Sequence, residues 1–111
     1  MNAAKQSPRM ETDGTLRWYA GDTFTLTFNF VLKDTSGNII TPANTDTITV
    51  KFSDKDGNPI QDFSDTGTSS IDLAFTDAIS AKFPEGIYRI LVKYNGDNVT
   101  TLLKSNRVVV E

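Results

Sequence analysis

Apolar and polar side chains alternate along most of this chain, and this period of two constrains its fold more than any other feature. Residues 24–30 place four apolar side chains on one face, with threonine and asparagine on the other. The same alternation recurs in residues 47–53, 71–75, 87–94 and 107–111. A period of two is typical of β-strands that bury one face. The sequence therefore predicts an all-β protein whose strands each contribute one apolar face to a core.

Clusters of aspartate, asparagine and glycine lie between the predicted strands. They occupy residues 34–38, 54–58, 65–69 and 94–98. Such residues adopt positive φ or hydrogen-bond their own backbone, so each cluster predicts a turn. Asn95 and Gly96 predict a hairpin that joins the strand ending at Tyr94 to one beginning near Asn98. About seven short strands separated by such turns are typical of an antiparallel β-sandwich.

The pattern also predicts how the domain is organised. Residues 1–14 are polar and contain a proline and a glycine, so we expect a flexible lead-in there. A single sandwich then spans residues 15–111, which is an ordinary length for one domain. Residues 76–82 break the alternation, and Thr76 or Asp77 is placed to cap one short helical turn.

A glycine stands two residues before a tyrosine at the start of the longest alternating run. In immunoglobulin-like sandwiches a tyrosine at such a place folds back, and its hydroxyl bonds the backbone a few residues upstream. We expect Tyr88 to be this corner residue and Gly86 to allow a tight turn before it. The alternative is that Tyr88 is an ordinary strand aromatic. The corner interpretation makes the predicted sandwich immunoglobulin-like.

The composition excludes several kinds of chemistry. The 111 residues include neither cysteine nor histidine, which removes disulfides, thiol nucleophiles and the commonest general base and metal ligand. The formal net charge is −3 and no basic segment is evident, so we expect no binding to nucleic acid or to a membrane. The carboxylates fall in turns or at outward strand positions, where they make poor acids at neutral pH. We therefore expect no enzyme and no cofactor.

Residues 54–65 offer the best candidate for a metal site. Five oxygen-bearing side chains there stand at positions 1, 3, 5, 9 and 12 of a calcium loop. They are Asp54, Asp56, Asn58, Asp62 and Asp65. A calcium loop needs glycine at position 6, where this chain has Pro59, whose fixed negative φ forbids the sharp turn. We therefore interpret the segment as a β-turn and keep calcium binding as the alternative.

The only tryptophan, Trp18, is followed directly by Tyr19. On a strand these two side chains point to opposite faces, so one can be buried and the other exposed. An exposed aromatic side chain can anchor a protein interface or stack on a sugar. The alternative, which we favour, is that Trp18 packs at the edge of the sandwich.

The order of these motifs resembles a known family. The triplet GDT at residues 21–23 precedes the strand FTLTFNFVL, and the turn at 34–38 leads into two isoleucines. A strand ITVKF, a second turn with Asp-x-Asp-Gly and the segment FPEGIYRI follow. Over residues 16–111 this order resembles the N-terminal immunoglobulin-like domain of phage baseplate upper proteins and of related small phage tail and prophage proteins. Members of that family usually continue into a fibre or receptor-binding region, whereas this chain ends at Glu111.

The resemblance implies a non-enzymatic structural protein of a phage or prophage tail, which docks onto other tail subunits or onto itself. It also implies a virion protein assembled in the bacterial cytoplasm, which fits the lack of an apolar signal segment at the start. We expect the docking residues to be Arg17, Trp18, Tyr19 and Arg107. Two alternatives are a carbohydrate- or ligand-binding immunoglobulin-like module of a bacterial surface or secreted protein, and an inert spacer.

Overall fold

A computed structural model describes residues 7–96 and 99–111, without the side chains of residues 99 and 100. Within these ranges the chain forms ten β-strands and one short helix. They are β1 (Arg9–Met10), β2 (Leu16–Trp18), β3 (Phe24–Asn29), β4 (Leu32–Lys33), β5 (Ile39–Ile40), β6 (Thr47–Asp54), β7 (Pro59–Thr66), β8 (Ser70–Phe75), α1 (Asp77–Ser80), β9 (Gly86–Gly96) and β10 (Val99–Val110). The first six residues of the predicted lead-in and residues 97–98 lie outside the described residues. A hairpin joins β9 to β10 as predicted, but its turn is not at Asn95 and Gly96, because these two residues end β9 and pair with Thr100 and Val99.

The strands form two sheets that enclose one core. The larger sheet has six strands in the order β1–β2–β10–β9–β6–β7, and β3 pairs with β8 in the smaller sheet. β4 and β5 form a separate hairpin. The apolar faces of both sheets meet in one hydrophobic cluster, so the predicted all-β sandwich is confirmed. The purely antiparallel arrangement is wrong at one place, where β2 pairs with β10 in parallel, because no hairpin joins these distant strands.

Burial follows the alternation that the sequence predicts. On β6, Ile48, Val50 and Phe52 are buried, whereas the residues between them are half-buried or exposed. The same alternation holds along β8, on the first part of β9 and at the end of β10. Each of these strands therefore buries one face and leaves the other in contact with solvent, as a period of two requires.

One irregularity decides which side chains of β10 face the core. The register between β9 and β10 shifts between Leu102 and Lys104, where β10 carries one extra residue. Beyond this bulge Val108 stands opposite Tyr88, and both side chains are buried. Without the extra residue Arg107 would stand opposite Tyr88, and the inward and outward side chains at the end of β10 would exchange faces.

Aromatic rings fill the centre of the core. The side chain of Trp18 is 0 % exposed, and its ring lies 5.1 to 6.2 Å from four phenylalanine rings. These are the rings of Phe24, Phe52, Phe75 and Phe83. Tilted and edge-to-face ring pairs each contribute about 0.5–1.5 kcal/mol beyond their buried area. These rings belong to β2, β3, β6, β8 and the segment between α1 and β9. They therefore pack the two sheets against each other.

The cap of α1 agrees with the sequence-based prediction, whereas the structure at the start of the chain differs from it. Thr76 caps α1 as predicted, since its side chain accepts the N–H of Ile79 at 3.4 Å. The flexible lead-in predicted for residues 1–14 is wrong at residues 9 and 10. These residues form β1 against β2, and the side-chain amide of Asn106 holds the following turn by donating to the carbonyl of Gly14 at 2.7 Å.

The predicted tyrosine corner is present, but Gly86 does not form the tight turn predicted before it. The hydroxyl of Tyr88 donates to the carbonyl of Pro84 at 2.6 Å. Burial, with a smaller contribution from the negative charge of Asp54, raises the pKa of this hydroxyl above its ordinary value. Gly86 is the first residue of β9 and lies outside the left-handed region. The tight turn predicted at Gly86 is therefore wrong, because the chain there is already an extended strand paired with Val110.

A second tyrosine ties a loop to the larger sheet. The hydroxyl of Tyr94, on β9, donates to the Asp46 carboxylate, which is buried just before β6. The same carboxylate accepts the N–H of Ala43 at 3.0 Å, and the carbonyl of Asp46 accepts the N–H of Gly67 at 2.8 Å. The β5–β6 and β7–β8 connections are thus fixed at one end of the molecule.

Candidate functional site

The side chains of the larger sheet that point away from the core form a surface that we call the outer face. On β2, Arg17 lies between two buried neighbours and so points outward. On β10, the outward residues Arg107 and Val109 flank the buried Val108. The parallel pairing of β2 with β10 places Arg17 directly beside Val109. The two segments in which the sequence predicted docking residues are therefore neighbours on one surface.

The strand register arranges the outer face in rows that cross the sheet. One row runs from Ile87 through Val109 and Arg17 to Arg9. The next row contains Ser53, Arg89 and Arg107, and the following one contains Lys51, Leu91 and Ser105. A further row contains Thr49, Lys93 and Leu102. Basic and aliphatic side chains thus occupy most positions at the centre of the face.

A cluster of four charges lies at the β1 end of the outer face. Arg17 contacts Glu11 at 2.8 Å and Glu111 at 3.3 Å, and Arg9 contacts Glu111 at 3.0 Å and Glu11 at 3.5 Å. The hydrogen bond from Arg9 is the main reason that the pKa of Glu111 lies below its ordinary value. We call this group the four-charge cluster. It holds together the first two strands and the end of the chain.

The centre of the outer face carries arginines without such partners. Arg89 on β9 and Arg107 on β10 stand directly opposite each other and are both exposed. Among the described residues neither makes an ion pair within 4.0 Å. Like charges directly opposite each other on a sheet are destabilising. With Lys55 from the β6–β7 turn, the two arginines line a surface pocket of about 260 Å³.

Aliphatic side chains border the two arginines. Ile87 is 50 % exposed in the row next to the arginines, and Leu102 is 54 % exposed two rows away. Leu91 and Val109 are half-buried on the same face. The face therefore combines apolar area with arginine, a residue type that is enriched in protein interfaces. Arg89, Ile87 and Leu102 were not among the predicted docking residues, although their outward strand positions were recognisable in the alternating pattern.

The two aromatic candidates have different environments. Trp18 lies entirely within the core, so its prediction as a docking residue is wrong; it packs inside the sandwich, but at the centre of the core and not at the edge that the alternative gave. The physical reason is that Trp18 points to the opposite side of β2 from Arg17. Tyr19 is half-buried, the guanidinium carbon of Arg9 lies 5.8 Å from its ring centre, and its N–H donates to the hydroxyl of Ser7 at 3.2 Å.

The five calcium candidates do not surround a common centre. Asp54 Oδ1 accepts the backbone N–H groups of Asp56 and Asn58, each at 2.9 Å, which is the predicted turn. Asp62 and Asp65 lie on strand β7, opposite Lys51 and Ile48, because the chain extends again directly after the turn. The part of the chain that the structure describes contains no group of three or more Asp, Glu, His or Cys side chains that could hold a metal ion.

In comparisons with known proteins, no family model matches this chain, and no curated protein matches it. Among the described residues there is no helix long and apolar enough to cross a membrane.

Proposed function

We propose that this protein is a non-enzymatic structural domain that docks onto partner proteins through the outer face of its larger sheet. The observation that carries the proposal is the contiguous outward surface on which the half-buried Arg17 and Val109 adjoin three exposed residues, Ile87, Arg89 and Arg107. Docking requires neither a catalytic group nor a cofactor, which agrees with a chain that has no histidine or cysteine.

We further propose that the sandwich is of the immunoglobulin-like type and that its partners are subunits of a phage or prophage tail. The Tyr88–Pro84 hydrogen bond and the placement of β3 and β8 across from a sheet containing β10, β9, β6 and β7 support the immunoglobulin-like type. The phage assignment depends on the order of the motifs between GDT at 21–23 and FPEGIYRI at 83–90. On this proposal the protein is part of the virion and is assembled in the bacterial cytoplasm.

The alternative function is binding of carbohydrates by a surface or secreted module. That function calls for an exposed aromatic platform. Trp18 is buried, and Tyr19 is half-buried beside Arg9, so neither ring offers an open face of the usual kind. The structural function is therefore better supported than the carbohydrate-binding one.

The test is to look for the protein in particles and then in complexes. Particles from the source strain are purified and analysed by mass spectrometry, and the tagged chain is co-expressed with the products of neighbouring reading frames. We expect the chain in particles and in a complex with at least one tail subunit. The variant Ile87→Asp should lose this partner, whereas the control Lys33→Gln, on β4 and away from the outer face, should retain it. Absence from particles, together with binding on a glycan array, would refute the proposal.

A further inference from the structure

We infer that the Arg89–Arg107 pair is a receptor for two carboxylates on an acidic segment of a partner protein. This inference rests on the proposed docking function and adds the chemistry of the partner to it. The larger sheet contains two pairs of arginines on neighbouring strands, and only one pair has carboxylates beside it.

In the first pair, two arginines on neighbouring strands are neutralised by carboxylates of the same chain. Arg9 and Arg17 are direct cross-strand neighbours on β1 and β2. Carboxylate oxygens of Glu11 and Glu111 lie within 3.5 Å of nitrogen atoms of both guanidinium groups. The two carboxylates compensate the repulsion between the arginines, and each carboxylate bridges both of them. The chain itself thus supplies two negative charges for two positive ones.

The second pair has the same relation but lacks the carboxylates. Arg89 and Arg107 are direct cross-strand neighbours on β9 and β10. The positive charge of Arg107 contributes to the lowered pKa of the Asp13 carboxyl, but less than the hydrogen bonds from Thr15 do. The Oδ1 atom of Asp13 instead accepts the N–H of Thr15 at 2.9 Å, and no ion pair joins Asp13 to either arginine. In the part of the chain that the structure describes, no carboxylate therefore forms an ion pair with either arginine of this pair.

The surroundings indicate a protein segment. Lys55 and Ser105 line the same pocket of about 260 Å³, and they add a positive charge and a hydroxyl donor. Ile87, which is 50 % exposed, lies in the row on one side of the arginines, and the half-buried Leu91 lies in the row on the other side. Arginines bind carboxylates through paired N–H donors, and the flanking aliphatic side chains suit apolar residues next to those carboxylates. An acidic segment with interspersed apolar residues matches both the charge and the apolar area of this site.

The first experiment measures binding directly by fluorescence anisotropy. The probe is a short fluorescein-labelled peptide rich in glutamate and leucine, and the control peptide has glutamine at every glutamate. We expect only the acidic peptide to bind, with an affinity that falls as salt is added, because exposed charges are screened. The double variant Arg89→Gln/Arg107→Gln should bind at least about tenfold more weakly. The control Lys33→Gln removes one exposed positive charge elsewhere and should bind normally. Circular dichroism and Trp18 fluorescence verify that each variant is folded.

Several results would overturn the inference. The first is equal binding of the two peptides, or unchanged binding by the double variant. Tighter, arginine-dependent binding of a heparin oligosaccharide would assign the site to a sulfated sugar instead. In sedimentation runs, a dimer that the double variant loses would assign the carboxylates to a second copy of this chain.

The same double variant also separates this inference from the proposed function. If a tail subunit binds Arg89→Gln/Arg107→Gln but does not bind Ile87→Asp, the result supports docking through the outer face and refutes the carboxylate receptor. If the wild-type chain binds no tail subunit but still binds the acidic peptide, the result refutes the proposed function and supports the carboxylate receptor.

Discussion

At the scale of single residues, two glycines illustrate how conformation decides the effect of a substitution. Gly57 in the β6–β7 turn has φ of 88°, whereas Gly86 begins β9 outside the left-handed region. We predict that Gly57→Ala lowers the free energy of unfolding by about 1–2 kcal/mol, because a Cβ atom disfavours that φ. A Cβ atom on Gly86 would meet its nearest neighbour at 3.7 Å, an ordinary contact, so Gly86→Ala should change stability little. Urea unfolding followed by Trp18 fluorescence compares the two. A larger loss from Gly86→Ala would contradict the structure of the Tyr88 corner.

The arginines of the outer face should respond to removal with opposite signs. Arg107→Gln relieves the repulsion from Arg89, so we predict that it stabilises the free protein by a few tenths of a kcal/mol at low salt. Arg17→Gln removes contacts with Glu11 and Glu111 and should destabilise the protein. Urea unfolding at low and high salt checks both, and both effects should shrink as salt is added. Destabilisation by Arg107→Gln would mean that Arg107 has a stabilising partner within its own chain.

At the scale of strands and loops, the Asp46–Tyr94 hydrogen bond connects a loop with the centre of the larger sheet. Tyr94→Phe removes one donor from a buried carboxylate that also accepts the N–H of Ala43. We predict a loss of about 1–3 kcal/mol in the free energy of unfolding, because a buried acceptor loses a partner. Tyr19→Phe is the matched control, since the Tyr19 hydroxyl has no hydrogen bond recorded among the described residues. Equal stability of the two variants would show that the Tyr94 bond contributes nothing.

Elements of this fold differ in how well the sequence predicts them. Strands β6 and β8 bury alternate residues between two sheets, so their pattern is visible locally. Strand β7 was missed because it is an edge strand without a buried residue, and most of its side chains are exposed. Strand β1 was missed because it has two residues and exists through pairing with β2. Periodicity reports burial, and these elements bury too little to produce it.

The candidate site was only partly predictable for a related reason. The sequence predicted Arg17 and Arg107 as docking residues. That the two lie close together, however, depends on a parallel pairing between strands at opposite ends of the chain. The opposition of Arg89 and Arg107 depends on the bulge between Leu102 and Lys104, which shifts the register by one residue. No local pattern in the sequence encodes either pairing. The sequence identifies outward positions, whereas the tertiary register decides which of them meet.

At the scale of the whole molecule, the charge is unevenly distributed. The chain carries a formal net charge of −3, yet the central rows of the outer face contain Lys51, Arg89, Lys93 and Arg107. An acidic protein with one basic surface presents a directional field to an approaching partner. Opposite charges on the partner would speed association and select the docking orientation. The net negative charge of the whole composition therefore does not reveal the positive surface that makes this face a candidate interface.

The acidic side chains also determine how the whole fold responds to pH. Hydrogen bonds lower the pKa of three turn carboxyls, those of Asp13, Asp34 and Asp54. The main donor is a backbone N–H for Asp13 and Asp34, from Thr15 and Asn38 respectively. For Asp54 the main donor is the side chain of Asn58. The hydrogen bond from Arg9 has the same effect on Glu111. A carboxyl whose pKa is lower in the folded state stabilises the fold above its unfolded pKa, near 3.8 for aspartate and 4.5 for glutamate. That stabilisation is lost as the pH falls through the folded-state pKa.

We therefore predict a free energy of unfolding that is constant from pH 7 to about pH 5 and falls steadily below about pH 4.5. Urea titrations at intervals between pH 7 and pH 2 measure it. The variant Asp54→Asn keeps an acceptor oxygen in the turn but cannot titrate, so its stability should depend less steeply on pH than that of the wild type. The control Lys33→Gln, on β4, removes no carboxyl and should keep the slope of the wild type. Stability that is unchanged at pH 2.5 would contradict this account, because it would mean that the hydrogen bonds to these carboxylates persist equally in the unfolded chain.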